Sequence, residues 1–280
     1  MDLPLSRAAV PRLEFLASTG STNDDLREAA TGAEAAAWPH GSVIVTDDQT
    51  RGRGRLGRTW LAPTGKTLAI SVLLRPELPG GAAFPPEAYG WIPLIAGAAM
   101  TEAVRHAVEE AASAVEDSED DGTGGLEVEL KWPNDVLVSG YKVCGILSEL
   151  LPSSTAVVVG AGLNLTLDEH DLPTLTSTSL LLATGMRPDA DAVLADYLSR
   201  FLALVRTLAE HGGDAEASGI ATRVSELCGT LGSEVRVRLP GDRELVGVAE
   251  RLDHDGRLVV RDPNGEPQAV AAGDVTHLRY

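Results

Sequence analysis

A run of arginine and glycine residues between Gln49 and Trp60 has the composition needed to hold an anion. It reads Gln-Thr-Arg-Gly-Arg-Gly-Arg-Leu-Gly-Arg-Thr-Trp, and we call it the arginine loop. Arginine offers a planar, permanently charged fork for phosphate or carboxylate, and glycine lets the backbone approach a ligand closely. Because the chain has a formal net charge of −18, the run is a local positive patch in an acidic protein. The pattern predicts a loop that closes over a phosphate ester, and a flexible, solvated basic loop is the alternative.

A second polar group, residues 131–135 (Lys-Trp-Pro-Asn-Asp), lies between two predicted strands. The segments on either side of residues 139–141 (Ser-Gly-Tyr) read as a hairpin, so Lys142 begins the returning strand. Lys142 is either a functional cation or an edge-strand lysine that deters pairing. Gly145, inside that strand, indicates a bulge or a close approach of a ligand to the backbone.

Three further positions complete the candidates. Residues 160–164 (Gly-Ala-Gly-Leu-Asn) lie at a strand end and form either a ligand contact or an ordinary glycine turn. Residues 20–25 (Gly-Ser-Thr-Asn-Asp-Asp) have the spacing of a capping box, which predicts the start of a helix. Cys144 could be a nucleophile, but no histidine lies near it in the sequence, so a small buried hydrophobic role is favoured.

The composition is that of a globular protein with a substantial core. The chain has 280 residues and is 44% hydrophobic, which suits one large domain or a large domain with a small one. It has no run of about 18 apolar residues and no recognisable secretory signal. Its two cysteines, Cys144 and Cys228, argue against a disulfide scaffold and a clustered metal site. We expect a cytoplasmic protein, and the acidic balance argues against nonspecific binding to nucleic acid or anionic membranes.

Hydrophobic periodicity and turn signals divide the chain into predicted elements. Strands are predicted at Leu13–Leu16, Gly41–Thr46, Thr67–Leu74, Val128–Lys131, Val136–Val138, Val143–Leu150 and Ala156–Gly160. Helices are predicted at Asn23–Ala30, Ile92–Glu110, Asp189–Glu210 and Glu216–Leu227. Residues 230–280 are rich in β-formers and turn signals, which predicts a small five-stranded barrel. The acidic, glycine-rich segment at about 112–125 predicts a flexible surface insertion, with a metal site as the disfavoured alternative.

Taken together, these segments resemble the biotin protein ligases. The matching stretches, in the order of the family, are residues 20–23, 49–60, 131–135, 142–149 (Lys-Val-Cys-Gly-Ile-Leu-Ser-Glu) and 160–164. The resemblance implies an α+β fold with a mixed-sheet catalytic domain of the class II synthetase-like biotin/lipoate ligase type over residues 1–228. It also implies a small C-terminal SH3-like β-barrel over residues 230–280.

The resemblance further implies a two-step reaction. Biotin and Mg·ATP would give biotinyl-5′-adenylate and pyrophosphate. A lysine on the biotin carboxyl carrier domain of a biotin-dependent carboxylase would then take the biotinyl group. This chemistry agrees with the cationic loop, because joining two anions needs preorganised positive charge and the mixed anhydride needs protection from water.

At the biotin end, the resemblance implies that Ser21, Thr22 and Gln49 hydrogen-bond the ureido group. The remaining positions implied at this end are Asn23, Gly52, Arg53 and Gly145. At the nucleotide end, Lys142 would bridge the biotin carboxylate and the α-phosphate, and Trp60 would pack on the adenine side. The remaining positions implied near the nucleotide are Lys131, Asn134, Gly160 and Asn164.

The residues expected to act in the reaction itself are Lys142, Arg55, Arg58 and Asp135. Asp135 would either bind Mg²⁺ or position the acceptor lysine, and the sequence does not choose between these roles. The expected requirements are therefore ATP and Mg²⁺, with biotin as substrate and a carrier domain as partner.

The resemblance is to the form of the family without an N-terminal DNA-binding domain, because only about 20 residues precede Ser21. We therefore expect no repressor role and no specific nucleic-acid binding. A lipoate-type ligase of the same superfamily would need a different arginine signature, which is missing. A non-catalytic biotin-binding regulator would be expected to lose Lys142 or the arginine loop, and both are present.

Two expectations concern behaviour rather than residue roles. Residues 50–58 should be disordered without ligand, because four arginines repel one another when no anion is bound. The module at 230–280 should serve carrier docking or stability rather than adenylation, because no cluster of phosphate-binding residues appears in it.

Overall fold

The computed structural model describes residues 1–60, 63–115, 125–152, 155–239, 243–271 and 273–278. The α-helices of this described part are α1 (Pro4–Ala9), α2 (Thr22–Thr31), α3 (Ile92–Val115), α4 (Leu180–Thr184), α5 (Ala190–Glu210) and α6 (Ile220–Leu227). The first strands are β1 (Leu13–Leu16), β2 (Val43–Thr46), β3 (Gly52–Arg53), β4 (Thr59–Trp60), β5 (Thr67–Leu74), β6 (Glu77–Leu78), β7 (Ala82–Ala83) and β8 (Val128–Lys131). The later strands are β9 (Asp135–Val138), β10 (Tyr141–Leu150), β11 (Val157–Asn164), β12 (Glu234–Leu239), β13 (Arg243–Leu252), β14 (Leu258–Arg261), β15 (Pro267–Val270) and β16 (Asp274–His277).

Seven of these strands form a mixed sheet in the larger domain. Its order is β1-β2-β5-β11-β10-β9-β8. Strands β1 and β2 run parallel, and the other neighbouring pairs run antiparallel. The predicted mixed-sheet α+β fold is confirmed.

The two faces of this sheet bury different clusters. On one face, side chains such as Val72 and Val159 join the main core, which also contains residues of α3 and α5. On the other face, Leu73 and Val158 join a smaller cluster with Leu26 of α2. Because successive side chains on a strand point to opposite faces, each central strand serves both clusters.

Small residues follow the α2 face of the sheet beyond this smaller cluster. Gly145 pairs with Gly162, and Gly162 pairs with Ala69 on the next strand. One step along, Gly160 pairs with Ser71. Residues directly opposite in register share a face of the sheet. These five positions form a shallow area that we call the small-residue floor.

The C-terminal module is a five-stranded antiparallel sheet with the order β15-β14-β13-β12-β16 within the described residues. It agrees with the predicted SH3-like domain. Two buried indoles of the larger domain bind its turn at 253–256: Trp91 Nε1 donates to the His254 carbonyl at 2.8 Å and Trp132 Nε1 to the Gly256 carbonyl at 3.2 Å. Buried residues of the module, such as Val235, belong to the same core as the larger domain.

Several element boundaries differ from the sequence predictions. The strand predicted to end at Gly160 continues to Asn164, because that segment pairs with a neighbour on each side. The helix predicted from Glu216 begins at Ile220, after Gly219 with a left-handed φ of 75°. Helix α3 includes residues 112–115, so the start of the predicted insertion is helical, and residues 116–124 lie outside the described residues. The sequence did not predict α1 or β16.

None of the described helices has both the length and the apolar character needed to cross a lipid bilayer.

Candidate active site

A cavity of about 540 Å³ opens over the small-residue floor, a volume typical of small-molecule sites. Its walls come from distant parts of the chain, including the start of α2, the arginine loop, the turn at 131–135 and strand β16. The predicted site residues that line it are Ser21, Thr22, Asn23, Gln49, Arg53, Arg55, Arg58, Trp60, Lys131, Asn134, Asp135, Lys142, Gly145, Gly160 and Asn164. Gly52 is not among the lining residues, and a side chain there would collide with the Trp60 carbonyl oxygen across the β3–β4 pair.

The part of the cavity around Ser21, Thr22 and Gln49 is polar, and we call it the closed end because Ser21 and Thr22 are buried. Gln49 Oε1 accepts hydrogen bonds from the Thr22 backbone N–H at 2.9 Å and from the Thr22 hydroxyl at 3.1 Å. Ser21 occupies the N-cap position of α2, but its side chain makes no capping hydrogen bond, contrary to the predicted capping box. A buried hydroxyl that is not used by the helix remains able to bind a ligand.

Functional side chains occupy the space that the floor glycines leave. A Cβ added to Gly145 would lie 2.9 Å from Lys142 Nζ, and one added to Gly162 would lie 2.6 Å from Trp60 Cε2. The sequence predicted a bulge or a ligand at Gly145. The register shift lies one step earlier, between Lys142 and Cys144, while Gly145 pairs regularly with Asp135. The glycines therefore let Lys142 and Trp60 lie flat against the sheet.

Some cations of the cavity already have carboxylate partners in this chain. Lys142 Nζ lies 2.6 Å from Asp135 Oδ1. Arg58 pairs with Asp274 of the C-terminal module. Arg53 pairs with Asp24 of α2 and with Glu149 of β10. Arg51, the remaining arginine of the loop, lies against the backbone of Gly20 and does not line the cavity.

Arg55 and Lys131 are different, because they have no carboxylate in ion-pair contact among the described residues. Arg55 donates to Asn134 Oδ1 at 2.7 Å and to the Gly273 carbonyl at 3.4 Å, both neutral acceptors. Burial lowers the pKa of Lys131 and also that of Arg55. A partly buried cation with no carboxylate at ion-pair distance favours an incoming anion. These two side chains are the strongest candidates for phosphate contacts.

The structure adds residues that the sequence analysis did not select. Segment 173–177 lines the cavity and lies along Lys142, which donates its backbone N–H to the Thr176 carbonyl at 2.8 Å. Asp274 lines it from the C-terminal module, which the sequence had placed apart from the adenylation site. Ser71 lies next to the cavity, where its hydroxyl donates to that of Thr22. As a polar residue within the apolar strand predicted at 67–74, it could have been noticed in the sequence.

The Cys144 thiol is not available as a nucleophile. Cys144 is 1% exposed, and burial raises the pKa of its thiol to about 12. At neutral pH it is therefore a protonated, small hydrophobic side chain, the role that the sequence analysis favoured.

Comparisons with known proteins agree with this fold and cavity. Residues 16–164 match the Biotin/lipoate A/B protein ligase family, and residues 230–278 match the Biotin protein ligase C terminal domain. The first match includes most of the residues that line the cavity. The class of protein is therefore that of the biotin and lipoate ligases.

More similar proteins narrow this class. The chain is 37% identical to a biotin–[acetyl-CoA-carboxylase] ligase from Mycobacterium tuberculosis, over 96% of this chain and 90% of that protein. It is similar to the biotin protein ligase from Aquifex aeolicus in complex with biotin and ATP, with a TM-score of 0.69, 26% identity, and coverage of 96% of this chain and 100% of that one. It is also similar to the biotin protein ligase from Leishmania major in complex with biotinyl-5-AMP, with a TM-score of 0.55, 25% identity, and coverage of 94% and 99%. This chain belongs to the biotin protein ligase family.

Proposed function

We propose that this chain attaches biotin to a specific lysine of a biotin carboxyl carrier domain of an acyl-CoA carboxylase, using ATP and a biotinyl-5′-adenylate intermediate. The observation that carries the proposal is the convergence of separate motifs, from residue 21 to residue 164, on one cavity. The family relationship supports it. The proposal includes a cytoplasmic location and excludes specific nucleic-acid binding.

At the closed end, Ser21, Thr22 and Gln49 would bind the ureido group of biotin, which carries both donors and an acceptor. The bicyclic ring would lie near Ala69, against the Trp60 indole that occupies the space over Gly162. Shape and hydrogen bonding together would favour biotin over an acid without a ureido group.

In the first step, a carboxylate oxygen of biotin would attack the α-phosphorus of ATP, and pyrophosphate would leave with its bonding electrons. Lys142 would neutralise the approaching carboxylate and the α-phosphate. Arg55 and Lys131 would hold phosphate oxygens, since neither forms an ion pair with a carboxylate of the described residues. Positive charge that is held in place before reaction stabilises the transition state.

The cavity's donor set fits Mg²⁺, which takes one or two carboxylates together with substrate phosphates. Asp135 lines the cavity and carries the carboxylate that would hold it. When bound, the ion would neutralise phosphate charge. The alternative role for Asp135 is to position the acceptor lysine, and its contact with Lys142 suits either role.

In the second step, the acceptor amine would attack the acyl carbon of the adenylate, and AMP would leave. The arginine loop lies on the cavity wall through Arg53, Arg55 and Arg58. Closed over the intermediate, it would exclude water from the reactive anhydride.

The test is transfer of biotin to a purified carrier domain, followed by intact mass spectrometry, together with pyrophosphate release. We expect a mass increase of one biotinyl group that requires ATP and the acceptor lysine. A carrier with that lysine replaced by arginine is the control. Pyrophosphate release with lipoate but not with biotin would support the lipoate-type alternative, and biotin binding without release would support a regulator.

A further inference from the structure

The hydrogen bonds at the closed end of the cavity continue between α2 and the small-residue floor. Ser71 Oγ lies 2.8 Å from Thr22 Oγ1 and 2.6 Å from Asn23 Oδ1. The Asn23 amide in turn donates from Nδ2 to Glu149 Oε2 at 2.7 Å. We call Gln49, Thr22, Ser71 and Asn23 the floor chain. Its last three members are 3%, 0% and 5% exposed, so their hydrogen bonds are shielded from water.

Gly160 shows that the position of Asn23 is built into the sheet. A Cβ at Gly160 would lie 2.5 Å from Asn23 Oδ1. The missing side chain therefore gives the Asn23 amide its place between Ser71 and Glu149. This explains a glycine that the sequence could read only as a turn or a ligand contact.

Glu149, where the floor chain ends, also contacts the arginine loop. Arg53 binds Asp24 with both guanidinium nitrogens, at 2.6 and 2.8 Å, and its Nη2 lies 3.5 Å from Glu149 Oε1. Arg27 binds the same two carboxylates at 2.6 and 3.1 Å. We call these two arginines and two carboxylates the Arg53 clamp. The Arg53 contact holds the pKa of Asp24 below its usual value, with Arg27 assisting, so that carboxylate stays charged at neutral pH.

The floor chain has fewer hydroxyl protons than acceptors. Thr22 and Ser71 supply one proton each, whereas Gln49 Oε1, Asn23 Oδ1 and both hydroxyl oxygens can accept. When Ser71 donates to Asn23, the Asn23 amide is held with its donor directed at Glu149. A ligand that hydrogen-bonds to the Thr22 hydroxyl competes with Ser71 for the Thr22 oxygen. It therefore changes which acceptor, Thr22 or Asn23, the Ser71 hydroxyl binds. In a buried network such a change passes to the next group.

We propose that Glu149 is a positioning residue that couples occupancy of the closed end of the cavity to the placement of Arg53. The inference rests on the proposed function, in which Thr22 and Gln49 meet the ureido group, and on the family resemblance, which implies that Arg53 lies along the same biotin and its carboxylate. Glu149 does not line the cavity; it accepts from the Asn23 amide and acts on the ligand through Arg53. Binding of the ureido end and binding of the carboxylate end of biotin would then be coupled through the protein, in addition to the covalent link within biotin.

The experiment is a double-mutant cycle on the full chain, with the biotin Kd measured by calorimetry. Glu149→Gln keeps the size of the side chain and removes its charge. It should weaken biotin binding about tenfold, as expected for a partly exposed, charge-assisted contact. In an Arg53→Met background, the same substitution should change the Kd less than twofold, because Glu149 acts through Arg53. Glu250→Gln is the matched control, since Glu250 pairs with Arg261 at 2.8 Å on the C-terminal module and outside the cavity.

A tenfold loss in both backgrounds would mean that Glu149 acts independently of Arg53 and would overturn the inference. An unchanged Kd for Glu149→Gln in the parent chain would overturn it as well. The proposed function is judged separately, by biotin binding and pyrophosphate release in the unmodified protein. Failure there would overturn both, whereas failure of the cycle alone would leave the proposed function standing.

Discussion

Removing the Lys142 ammonium should damage adenylation far more than stability. Lys142 Nζ lies 2.6 Å from Asp135 Oδ1, and the two side chains are 38% and 24% exposed. Exposed ion pairs contribute roughly 0.2–1 kcal/mol to folding, so Lys142→Ala should shift the melting temperature only slightly. Preorganised charge in a reaction centre is worth about 3–4 kcal/mol, which is two to three orders of magnitude in rate. The large rate loss beside a small stability loss is the signature of a functional cation.

The assay is biotin-dependent pyrophosphate exchange, with the biotin Kd measured in parallel. Exchange by Lys142→Ala should fall by about two to three orders of magnitude. Biotin binding should weaken much less, because Ser21, Thr22 and Gln49 remain. Lys142→Arg should restore little activity, because the wide guanidinium fork does not fit the space over Gly145 that the compact ammonium occupies.

Lys66→Ala is the matched control, since Lys66 also pairs with aspartates, Asp168 at 2.9 Å and Asp171, but lies outside the cavity. It should leave exchange unchanged. Exchange by Lys142→Ala within about threefold of the parent would correspond to well under 1 kcal/mol and would refute the reasoning. Lys142 would then be a structural residue that pairs with Asp135; the edge-strand alternative is already excluded, because β10 lies between β11 and β9 in the sheet.

Three further predictions concern the arginine loop, the nucleotide and the helices. A biotinyl-adenylate mimic should slow trypsin cleavage within residues 51–58, because its phosphate would bind Arg55, which meets neutral oxygens, and hold the loop; equal cleavage with and without it would contradict this. Burial lowers the pKa of Lys131 and a bound phosphate would raise it, so nucleotide binding should take up protons and weaken as pH rises through the alkaline range. Calorimetry in buffers of different ionisation enthalpy measures that uptake, which Lys131→Met should abolish. Glu102→Gln should destabilise the fold by about 1–2 kcal/mol in urea unfolding, because Glu102 joins α3 to α5 and α6 through two arginines. Although burial opposes it, those arginines lower the pKa of Glu102, so the difference should persist above pH 4.5 and vanish as pH falls below the lowered pKa.

Much of the fold followed from local pattern. The strands at Leu13–Leu16, Thr67–Leu74 and Val128–Lys131 have the bounds that the sequence predicts, because a short apolar run between turn signals leaves few alternatives. The end of β11 was missed because its glycines read locally as a turn. Pairing along both edges of the strand keeps Gly160–Asn164 extended despite low intrinsic preference.

Most of the residues that line the cavity could also be predicted from the sequence, because residue types that bind anions and amides occur there in recognisable motifs. The roles of Ser71 and Glu149 could not be predicted, although Ser71 is a polar residue in an apolar strand and Glu149 ends the matching stretch 142–149. Their importance comes from hydrogen bonds to Asn23, which is 48 residues from Ser71 and 126 from Glu149. No local pattern contains such contacts.

The sequence by itself determined the order of the elements, the family resemblance and the set of cations around the cavity, because all of these rest on residue types and spacing. Only the tertiary structure decided which of those cations have no ion-pair partner among the described residues. Arg53 meets a carboxylate 29 residues away and Arg58 one 216 residues away, while Arg55 meets neutral oxygens. Coulomb energy depends on distance in space and on burial, and neither can be read from distance along the chain.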